Sequence, residues 1–323
     1  MTPAAQRVTR LAPSPTGALH LGNARTFLVN WLLARQQGWR LILRIEDLDG
    51  PRIKRGADRL AIEDLHWLGI DWDEGPVHQS QRTQAYDEAI NRLLETGRAY
   101  PCICSRREAQ LAASAPHGED GSPPYPGTCR GRFASIDAAR AANDGRDSAV
   151  RFRVPDETVE FDDAFAGHLR YDLERQLGDF VIRKADGTPA YQLAVVVDDA
   201  AQGVSDVVRG DDLLDSTPRQ MLLYRALGLS DRIPRYTHLP LVVGPDGKRL
   251  AKRHGDTRLS SYRQQGVAAG RIVALLARWC GLGDVDRISA RALLDRFSLE
   301  RVPRATITMT PADDAWLTEA AHA

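Results

Sequence analysis

The sequence has no excess charge of either sign, no long apolar run and few cysteines. Basic and acidic residues both number 43 among 323 residues, so contact with a nucleic acid would have to rest on local basic patches. No stretch is long and apolar enough for a transmembrane helix, and residues 1–7 lack the apolar segment of a secretory signal. We therefore expect a cytoplasmic protein without membrane contact.

The four cysteines favour a metal site over a disulfide framework, because three of them lie close together in the chain. These three are Cys102, Cys104 and Cys129. Free thiols in a reducing compartment are the alternative. The fourth, Cys280, lies among apolar residues of a predicted helix, where we expect it to pack in the core.

The most informative segment is residues 10–26. A predicted strand over 8–11 leads into a loop rich in proline and glycine, and a helix with one apolar face follows. A strand, a tight loop and a helix start together direct backbone N–H groups and a positive helix end at an anion. His20 and Asn23 lie at this helix start, so we expect the site to bind a phosphate.

Alternating strands and helices predict an α/β fold with a parallel sheet. The next predicted strand covers 39–45, and helices follow over 57–68 and over 80–94, the latter with Ser80 as N-cap. Glu46 directly follows the strand, at the edge where parallel sheets bind ligands. A solvated acidic loop is the alternative interpretation of this position.

From about residue 100 the pattern becomes irregular, which indicates an insertion. A turn at 185–188 predicts a hairpin between strands at 180–184 and 191–197, the second buried on both faces. Thr217 is the predicted N-cap of a helix that ends at Leu227. We divide the chain into the first half of a Rossmann-like, doubly wound domain (1–97), the insertion (98–176), the second half (177–258) and a short helical segment (259–323).

A basic run at 248–255 follows a predicted strand and a Pro-Asp-Gly turn. Basic runs are usually solvated surface, but glycines flank this one and acidic residues occur only at its edges. Its charge could therefore hold a polyphosphate, together with the loop that contains His20.

These segments resemble the catalytic core of class I aminoacyl-tRNA synthetases of the glutamyl type. His20-Leu-Gly-Asn23 resembles the HIGH motif of that family, and Arg249-Leu-Ala-Lys-Arg253 resembles its KMSKS motif. Further matching segments are Arg10-Leu-Ala-Pro-Ser-Pro-Thr-Gly, Arg44-Ile-Glu-Asp-Leu-Asp49, Tyr191-Gln-Leu-Ala-Val-Val-Val-Asp-Asp199 and Val208-Arg-Gly-Asp-Asp212. They occur in the family's order and spacing between about residues 7 and 260.

The resemblance implies ATP, with Mg²⁺, and L-glutamate as substrates. It makes His20 and Lys252 catalytic, and it gives the ATP-binding residues as His20, Gly22, Asn23, Arg249 and Lys252. It gives the glutamate-binding residues as Arg10, Leu11, Ala12, Pro13, Ser14, Glu46, Tyr191 and Arg209. Arg249 and Ala251 replace the lysine and serine usual in the KMSKS motif, and we expect a less ordered loop but retained activity.

Only 68 residues follow the basic run, which we expect to be too few for the family's anticodon-binding domain. With the cysteine pattern, this is similar to the glutamyl-queuosine tRNA(Asp) synthetase family, which activates glutamate without tRNA and transfers it to queuosine in tRNA(Asp). The alternatives are a shortened glutamyl-tRNA synthetase, a non-catalytic RNA-binding paralogue and a nucleotidyltransferase of the same fold. We expect a monomer.

The family pattern adds Tyr125 to the three clustered cysteines as ligands of one structural zinc ion. His117 is the rival fourth ligand, because imidazole is a common ligand of zinc. Four arginines flank this segment and could form an RNA-facing patch, with solvated surface as the alternative. They are Arg106, Arg107, Arg130 and Arg132.

Overall fold

Parallel strands joined by helices form the framework of the protein. The computed structural model describes residues 6–105, 107–109, 124–248, 250 and 256–319. In the first half, β1, β2 and β3 form a parallel sheet with β2 in the middle. The elements are β1 (Val8–Leu11), α1 (Leu21–Gln36), β2 (Arg40–Ile45), α2 (Ala57–Trp67), β3 (Glu74–His78) and α3 (Thr83–Glu95).

The middle of the chain is antiparallel. Its elements are β4 (Ala99–Cys102), α4 (Ile136–Ala141), β5 (Ala149–Phe152), β6 (Thr158–Asp163), β7 (Gly167–Asp172), α5 (Leu173–Gln176) and β8 (Phe180–Arg183). β4, β5 and β8 form one sheet, and β6 and β7 form a separate hairpin. The backbone N–H of Ala164, at the hairpin tip, donates to the carbonyl of Tyr236 at 2.9 Å. This contact ties the hairpin to the parallel strands of the second half.

The second half returns to parallel pairing. Its elements are α6 (Tyr191–Ala201), β9 (Asp206–Gly210), α7 (Ser216–Ala226), β10 (Arg235–Leu239) and β11 (Val242–Val243). β9 and β10 pair in parallel, and Ser205, just before β9, donates its N–H to the carbonyl of Val8 in β1 at 2.9 Å. The two halves therefore meet between β1 and β9, the kind of junction at which open α/β sheets bind ligands.

The C-terminal segment packs against the first half. Its elements are α8 (Leu259–Gln264), α9 (Ala269–Trp279), β12 (Ile307–Thr308) and α10 (Pro311–Glu319). Buried side chains of α9, and Cys280 directly after this helix, share one apolar core with α1, β1 and β2. This confirms that Cys280 packs in the core. Among the described helices, including the 16-residue α1, none has both the length and the apolarity that crossing a bilayer requires.

The α/β fold with parallel sheets is confirmed, but residues 191–197 are not a strand, so the predicted hairpin is wrong. They belong to α6, which is buried along most of its length against α3 and α7. A short apolar run has no period that distinguishes a buried helix from a buried strand, and here the tertiary packing decides. The four-part division of the chain stays a prediction.

Two predicted helix caps are also wrong. α3 begins at Thr83, and Ser80 instead donates its N–H and its hydroxyl to the carboxylate of Asp47, at 2.8 and 2.7 Å. α7 begins at Ser216, and the hydroxyl of Thr217 accepts a hydrogen bond from Arg209. In both cases a contact with a distant charged residue outweighs the local capping preference.

Asp64 of α2 predicts a specific pH dependence of stability. Its carboxylate is buried, has no hydrogen-bond partner among the described residues and lies 3.6 Å from Arg263 of α8. Burial raises the pKa of Asp64 to about 6, although Arg263 opposes the shift. The folded protein therefore holds this proton more tightly than the unfolded chain, whose pKa is about 3.9, so this group's contribution to stability falls as pH rises from about 4 to about 6.

Asp64→Asn should remove that contribution. We expect the melting temperature of the wild type, relative to that of Asp64→Asn, to fall between pH 4 and 6 and then to level off, measured by thermal melts across a pH series. Asp87→Asn, on the exposed face of α3, is the control. Parallel curves for the wild type and Asp64→Asn would contradict the assignment.

Candidate active site

A cavity of about 430 Å³ lies at the carboxyl ends of the parallel strands. The loop after β1, the residue after β2, the end of β9 and the start of α1 form its wall. The lining residues are Arg10, Ala12, Pro13, Ser14, Thr16, Gly17, Ala18, Leu19, His20, Gly22, Asn23, Thr26, Phe27, Glu46, Tyr191, Val208, Arg209, Gly210, Asp212, Leu213, Leu241 and Val242. This is the position at which Rossmann-like sheets bind ligands.

The cavity brings together most of the predicted site residues, from segments far apart in the chain. Among the described residues that were predicted to bind ATP or glutamate, Leu11 is the exception, because its side chain is fully buried in the core. Arg249 and Lys252, predicted to bind ATP, lie outside the described residues, as do Arg106 and His117.

At the start of α1, His20 and Asn23 cap the helix reciprocally. The N–H of Asn23 donates to Nδ1 of His20, and the N–H of His20 donates to Oδ1 of Asn23, both at 3.4 Å. Because Nδ1 accepts, the neutral imidazole carries its proton on Nε2. A Cβ at Gly22 would lie 3.1 Å from the imidazole, so a glycine here lets the helix start close around the ring.

A buried ion cluster centred on Arg44 supports Glu46. The Arg44 guanidinium is fully buried and donates to Asp199 at 2.6 Å and to Glu46 at 3.2 Å, with Asp198 at 4.0 Å. Burial raises the pKa of Glu46, while Arg44 and Arg10 pull it down. The N–H of Glu46 donates to the carbonyl of Pro13 at 3.0 Å, which joins the ends of β1 and β2.

Arg10 and Arg209 bring positive charge to the cavity from two sides. Nε of Arg10 lies 3.4 Å from Asp199 and has no hydrogen-bond partner among the described residues. Arg209, also buried, donates to five acceptors, all of them uncharged. They are His238 Nε2, Gln220 Oε1 and Thr217 Oγ1, each at 2.9 Å, the Leu213 carbonyl at 3.3 Å and the Tyr191 hydroxyl at 3.5 Å. Since no carboxylate among the described residues pairs with Arg209, a ligand carboxylate could supply the counter-charge.

The sequence motifs assign no role to several residues around the cavity. Arg44, Asp198, Asp199 and His238 are buried and act on the cavity through other side chains. Two features of the sequence could have indicated such residues. Arg44 is a charged residue inside an otherwise apolar strand (Leu41-Ile-Leu-Arg-Ile45), and the pair Asp198-Asp199 ends an apolar run. A charge in such a position requires a buried partner.

Away from the cavity, Cys102, Cys104 and Cys129 form a thiol cluster. Their Sγ atoms lie within 4.8 Å of one another, with Cys104 and Cys129 at 3.5 Å. The Tyr125 hydroxyl lies 3.4 Å from Sγ of Cys102 and 3.3 Å from Sγ of Cys104. Zinc–sulfur bonds of about 2.3 Å in a tetrahedron place sulfur atoms about 3.8 Å apart, so this donor set fits a tetrahedral metal ion.

The surroundings of the cluster act in opposite directions on its thiols. Arg151 donates to Sγ of Cys102 at 3.3 Å and stacks on the ring of Tyr125 at 3.9 Å. Burial raises the pKa of Cys104 to about 11. Burial acts in the same direction on Cys129, but hydrogen bonds, first that of Tyr125, lower its pKa. A cation among the sulfurs would favour the ionised form of every thiol.

Two arginines of the predicted patch, Arg130 and Arg132, make contacts within the protein. Arg130 donates two hydrogen bonds of 2.6 Å to the buried Asp179, and Arg132 lies over the ring of Phe133. Arg107 is exposed. Arg130 therefore stabilises the packing of the insertion, which leaves less positive charge for an RNA than the sequence suggests.

Comparisons with known proteins agree with this geometry. The family model of tRNA synthetases class I (E and Q), catalytic domain, matches residues 6–297. The chain is 50% identical to a glutamyl-Q tRNA(Asp) synthetase of Symbiobacterium thermophilum, over 94% of this chain and 96% of that protein. It is 43% identical to a glutamate–tRNA ligase of Geobacter sulfurreducens, over 95% of this chain but 64% of that protein. A crystal structure of a glutamate tRNA ligase from Elizabethkingia meningosepticum in complex with its amino acid superposes with a TM-score of 0.79 at 27% identity, over 98% of this chain and 69% of that one.

The Arg44 cluster predicts a large loss of stability on substitution. Arg44→Met leaves Asp199 and Glu46 buried without their main cation, so we expect the free energy of unfolding to fall by about 3–5 kcal/mol, measured by urea denaturation. Arg40→Met, in the same strand, is the matched control, because Arg40 pairs with Glu74 at an exposed site and should cost less than about 1 kcal/mol. Equal losses for the two variants would contradict the assignment.

Proposed function

The chain belongs to the glutamyl-Q tRNA(Asp) synthetases, within the class I tRNA synthetase family for E and Q, and from this we propose its reaction. It activates L-glutamate with ATP in the absence of tRNA. It then transfers the glutamate to the cyclopentenediol of queuosine at the wobble position of tRNA(Asp). The observation that carries this proposal is the 50% identity to a glutamyl-Q tRNA(Asp) synthetase along nearly the whole of both chains.

The amino-acid end of the cavity has charges that match glutamate. The substrate carries two carboxylates and one ammonium group, and the residues that line the cavity include two guanidinium groups, Arg10 and Arg209, and two carboxylates, Glu46 and Asp212. We assign Glu46 to the ammonium and the arginines to the carboxylates. Tyr191, half exposed at the cavity wall, supplies a hydroxyl, and the loop Ala12–Ser14 supplies backbone groups.

The start of α1 is the phosphate end. In activation the glutamate α-carboxylate attacks the α-phosphorus of ATP and pyrophosphate leaves, so no protein nucleophile is needed. Catalysis then consists of positioning and charge stabilisation. His20, with its proton on Nε2, donates to the α-phosphate, while Gly22 and Asn23 present the positive helix end. Arg249 and Lys252 bind the β- and γ-phosphates by analogy with the family's motif, and Mg²⁺ accompanies the ATP substrate.

We assign one structural zinc ion to Cys102, Cys104, Tyr125 and Cys129. Three thiols whose sulfur atoms lie within 4.8 Å of one another, with the phenolic oxygen of Tyr125 at 3.3–3.4 Å from two of them, are the supporting observation. Three free thiols in one cluster also fit a reducing compartment, which supports a cytoplasmic location. When bound, the ion would hold the start and end of the 102–129 segment together.

A second candidate function is glutamylation of a tRNA 3′ end. The similarity to the Geobacter sulfurreducens glutamate–tRNA ligase supports it. Both functions share the activation step and differ only in the acceptor of glutamate, so the acceptor is what distinguishes them.

The activation step predicts glutamate-dependent ATP–pyrophosphate exchange without tRNA. His20→Ala should lower the exchange rate by at least about a hundredfold, because one preorganised donor to the developing charge is lost. The measurement is exchange of radiolabelled pyrophosphate into ATP at saturating glutamate.

Two controls separate chemistry from folding. His20→Asn keeps a good N-cap for α1, so it should melt close to the wild type and yet be as inactive as His20→Ala. His168→Ala removes an exposed histidine of β7 and should leave exchange unchanged. Exchange near the wild-type rate in His20→Asn would contradict the role of the imidazole.

The zinc assignment predicts a change in metal content. Wild-type protein should contain about one zinc per chain, and Cys104→Ser should lose most of it, because a hydroxyl is a poor zinc ligand. Tyr125→Phe keeps the ring that stacks on Arg151 but removes the oxygen, so it should bind zinc more weakly. The measurement is elemental analysis after dialysis against a chelator, with Cys280→Ala as the cysteine control. Full zinc occupancy in Cys104→Ser would overturn the ligand set.

A further inference from the structure

A chain of buried side chains links the insertion to Arg209. Asp163 ends β6, His238 lies in β10, and Arg209 is the register partner of His238 in β9. Oδ2 of Asp163 lies 2.7 Å from Nδ1 of His238, and Nε of Arg209 donates to Nε2 of His238 at 2.9 Å. All three residues are at least 95% buried.

The hydrogen bonds determine which ring nitrogen of His238 carries the proton. Oδ1 of Asp163 accepts from the N–H groups of Phe165, Ala166 and His238, at 2.9, 2.7 and 3.1 Å. These bonds and the imidazole outweigh burial and lower the pKa of Asp163, so it stays a carboxylate. A carboxylate only accepts, so Nδ1 must donate to it, and Nε2 keeps a lone pair for the N–H of Arg209.

The other groups around the ring agree with a neutral imidazole. Burial and the charge of Arg209 lower the pKa of His238, although Asp163 opposes them. Tyr236 stacks beside the ring at 6.0 Å between centroids, and the hydroxyl of Thr217 lies 3.4 Å from Nε2. A proton on Nε2 would point directly at the N–H of Arg209.

We propose that His238, held in one tautomer by Asp163, is a positioning residue that orients Arg209 for the substrate carboxylate. The inference rests on the proposed function, since it takes glutamate as the ligand of Arg209. It also gives the β6–β7 hairpin of the insertion a role in amino-acid binding, because Asp163 is the hairpin residue that contacts His238.

Asp163→Asn tests the tautomer while keeping the fold. The amide oxygen can still accept from the three backbone N–H groups, but the amide NH₂ would now donate to Nδ1 of His238. The ring proton would then move to Nε2 and oppose Arg209. Losing one hydrogen bond to the charged Arg209 should therefore raise the KM for glutamate in ATP–pyrophosphate exchange by at least about tenfold. The KM for ATP should stay within about twofold of the wild type.

Substitutions of His238 itself form a matched pair. The amide of asparagine reaches the position of Nδ1, and the amide of glutamine reaches that of Nε2. His238→Asn keeps the contact with Asp163 but loses the acceptor for Arg209, so its glutamate KM should rise as in Asp163→Asn. His238→Gln keeps that acceptor and should remain within about threefold of the wild type.

The double variant Asp163→Asn/His238→Gln completes the test. Glutamine has no tautomer to reverse, so the double variant should resemble His238→Gln, and the effect of Asp163→Asn should disappear. A merely structural role for Asp163 predicts the same loss in both backgrounds. That result, or an unchanged glutamate KM in His238→Asn, would overturn the proposal.

Long-range ¹⁵N–¹H NMR spectra of histidine-labelled protein read the tautomer directly, without substrate. We expect the proton of His238 on Nδ1 in the wild type and on Nε2 in Asp163→Asn. A proton on Nε2 in the wild type would overturn the inference and leave the proposed function standing. Absence of glutamate-dependent exchange in the wild type would overturn the proposed function, and the inference with it.

Discussion

Three buried guanidinium groups beside one cavity are the constraint that the rest of the site satisfies. Arg10, Arg44 and Arg209 are each at least 95% buried, and an uncompensated charge in such a position costs several kcal/mol. Arg44 is balanced by Asp199, Glu46 and Asp198. Arg10 shares Asp199, while the five acceptors of Arg209 among the described residues are all uncharged.

Because Arg44 is surrounded by carboxylates and Arg209 by uncharged acceptors, the two residues have different roles at the cavity. Arg44 needs no ligand, because carboxylates of the protein already surround it, and it acts by holding Glu46. Arg209 is fixed in direction by uncharged acceptors, and in the proposed function its charge is met by a carboxylate of the substrate. Preorganised charge of this kind binds an anion without reorganising the protein when the ligand arrives. The fold supplies the positions, because the carboxyl ends of parallel strands meet at one edge and bring β1, β2 and β9 to the same cavity.

The parts of this arrangement that are local in sequence could be predicted. A strand, a Pro- and Gly-rich loop and a helix start over residues 8–36 are set by short-range preferences, and they form the end of the cavity that we propose binds phosphate. Glu46 was identifiable because it follows a clear strand. α6 was not, because a short buried apolar run has no informative period and only its packing against α3 and α7 decides its form.

The supporting residues could not be predicted for a different reason. His238 contacts Asp163, 75 positions away, and Arg44 contacts Asp199, 155 positions away. Local sequence shows that such a residue is polar and surrounded by apolar neighbours, and so that it needs a partner, but not which partner. The same applies to Thr217, whose hydroxyl binds Arg209 instead of capping α7.

The identity of the glutamate acceptor tests the proposed function most directly. Radiolabelled glutamate and ATP would be incubated with the protein and with tRNA from cells that make queuosine or from cells that cannot. We expect label on tRNA(Asp) in the queuosine-containing pool and none in the other. Label on tRNA(Glu) in both pools would contradict it and would identify a synthetase that charges a 3′ end.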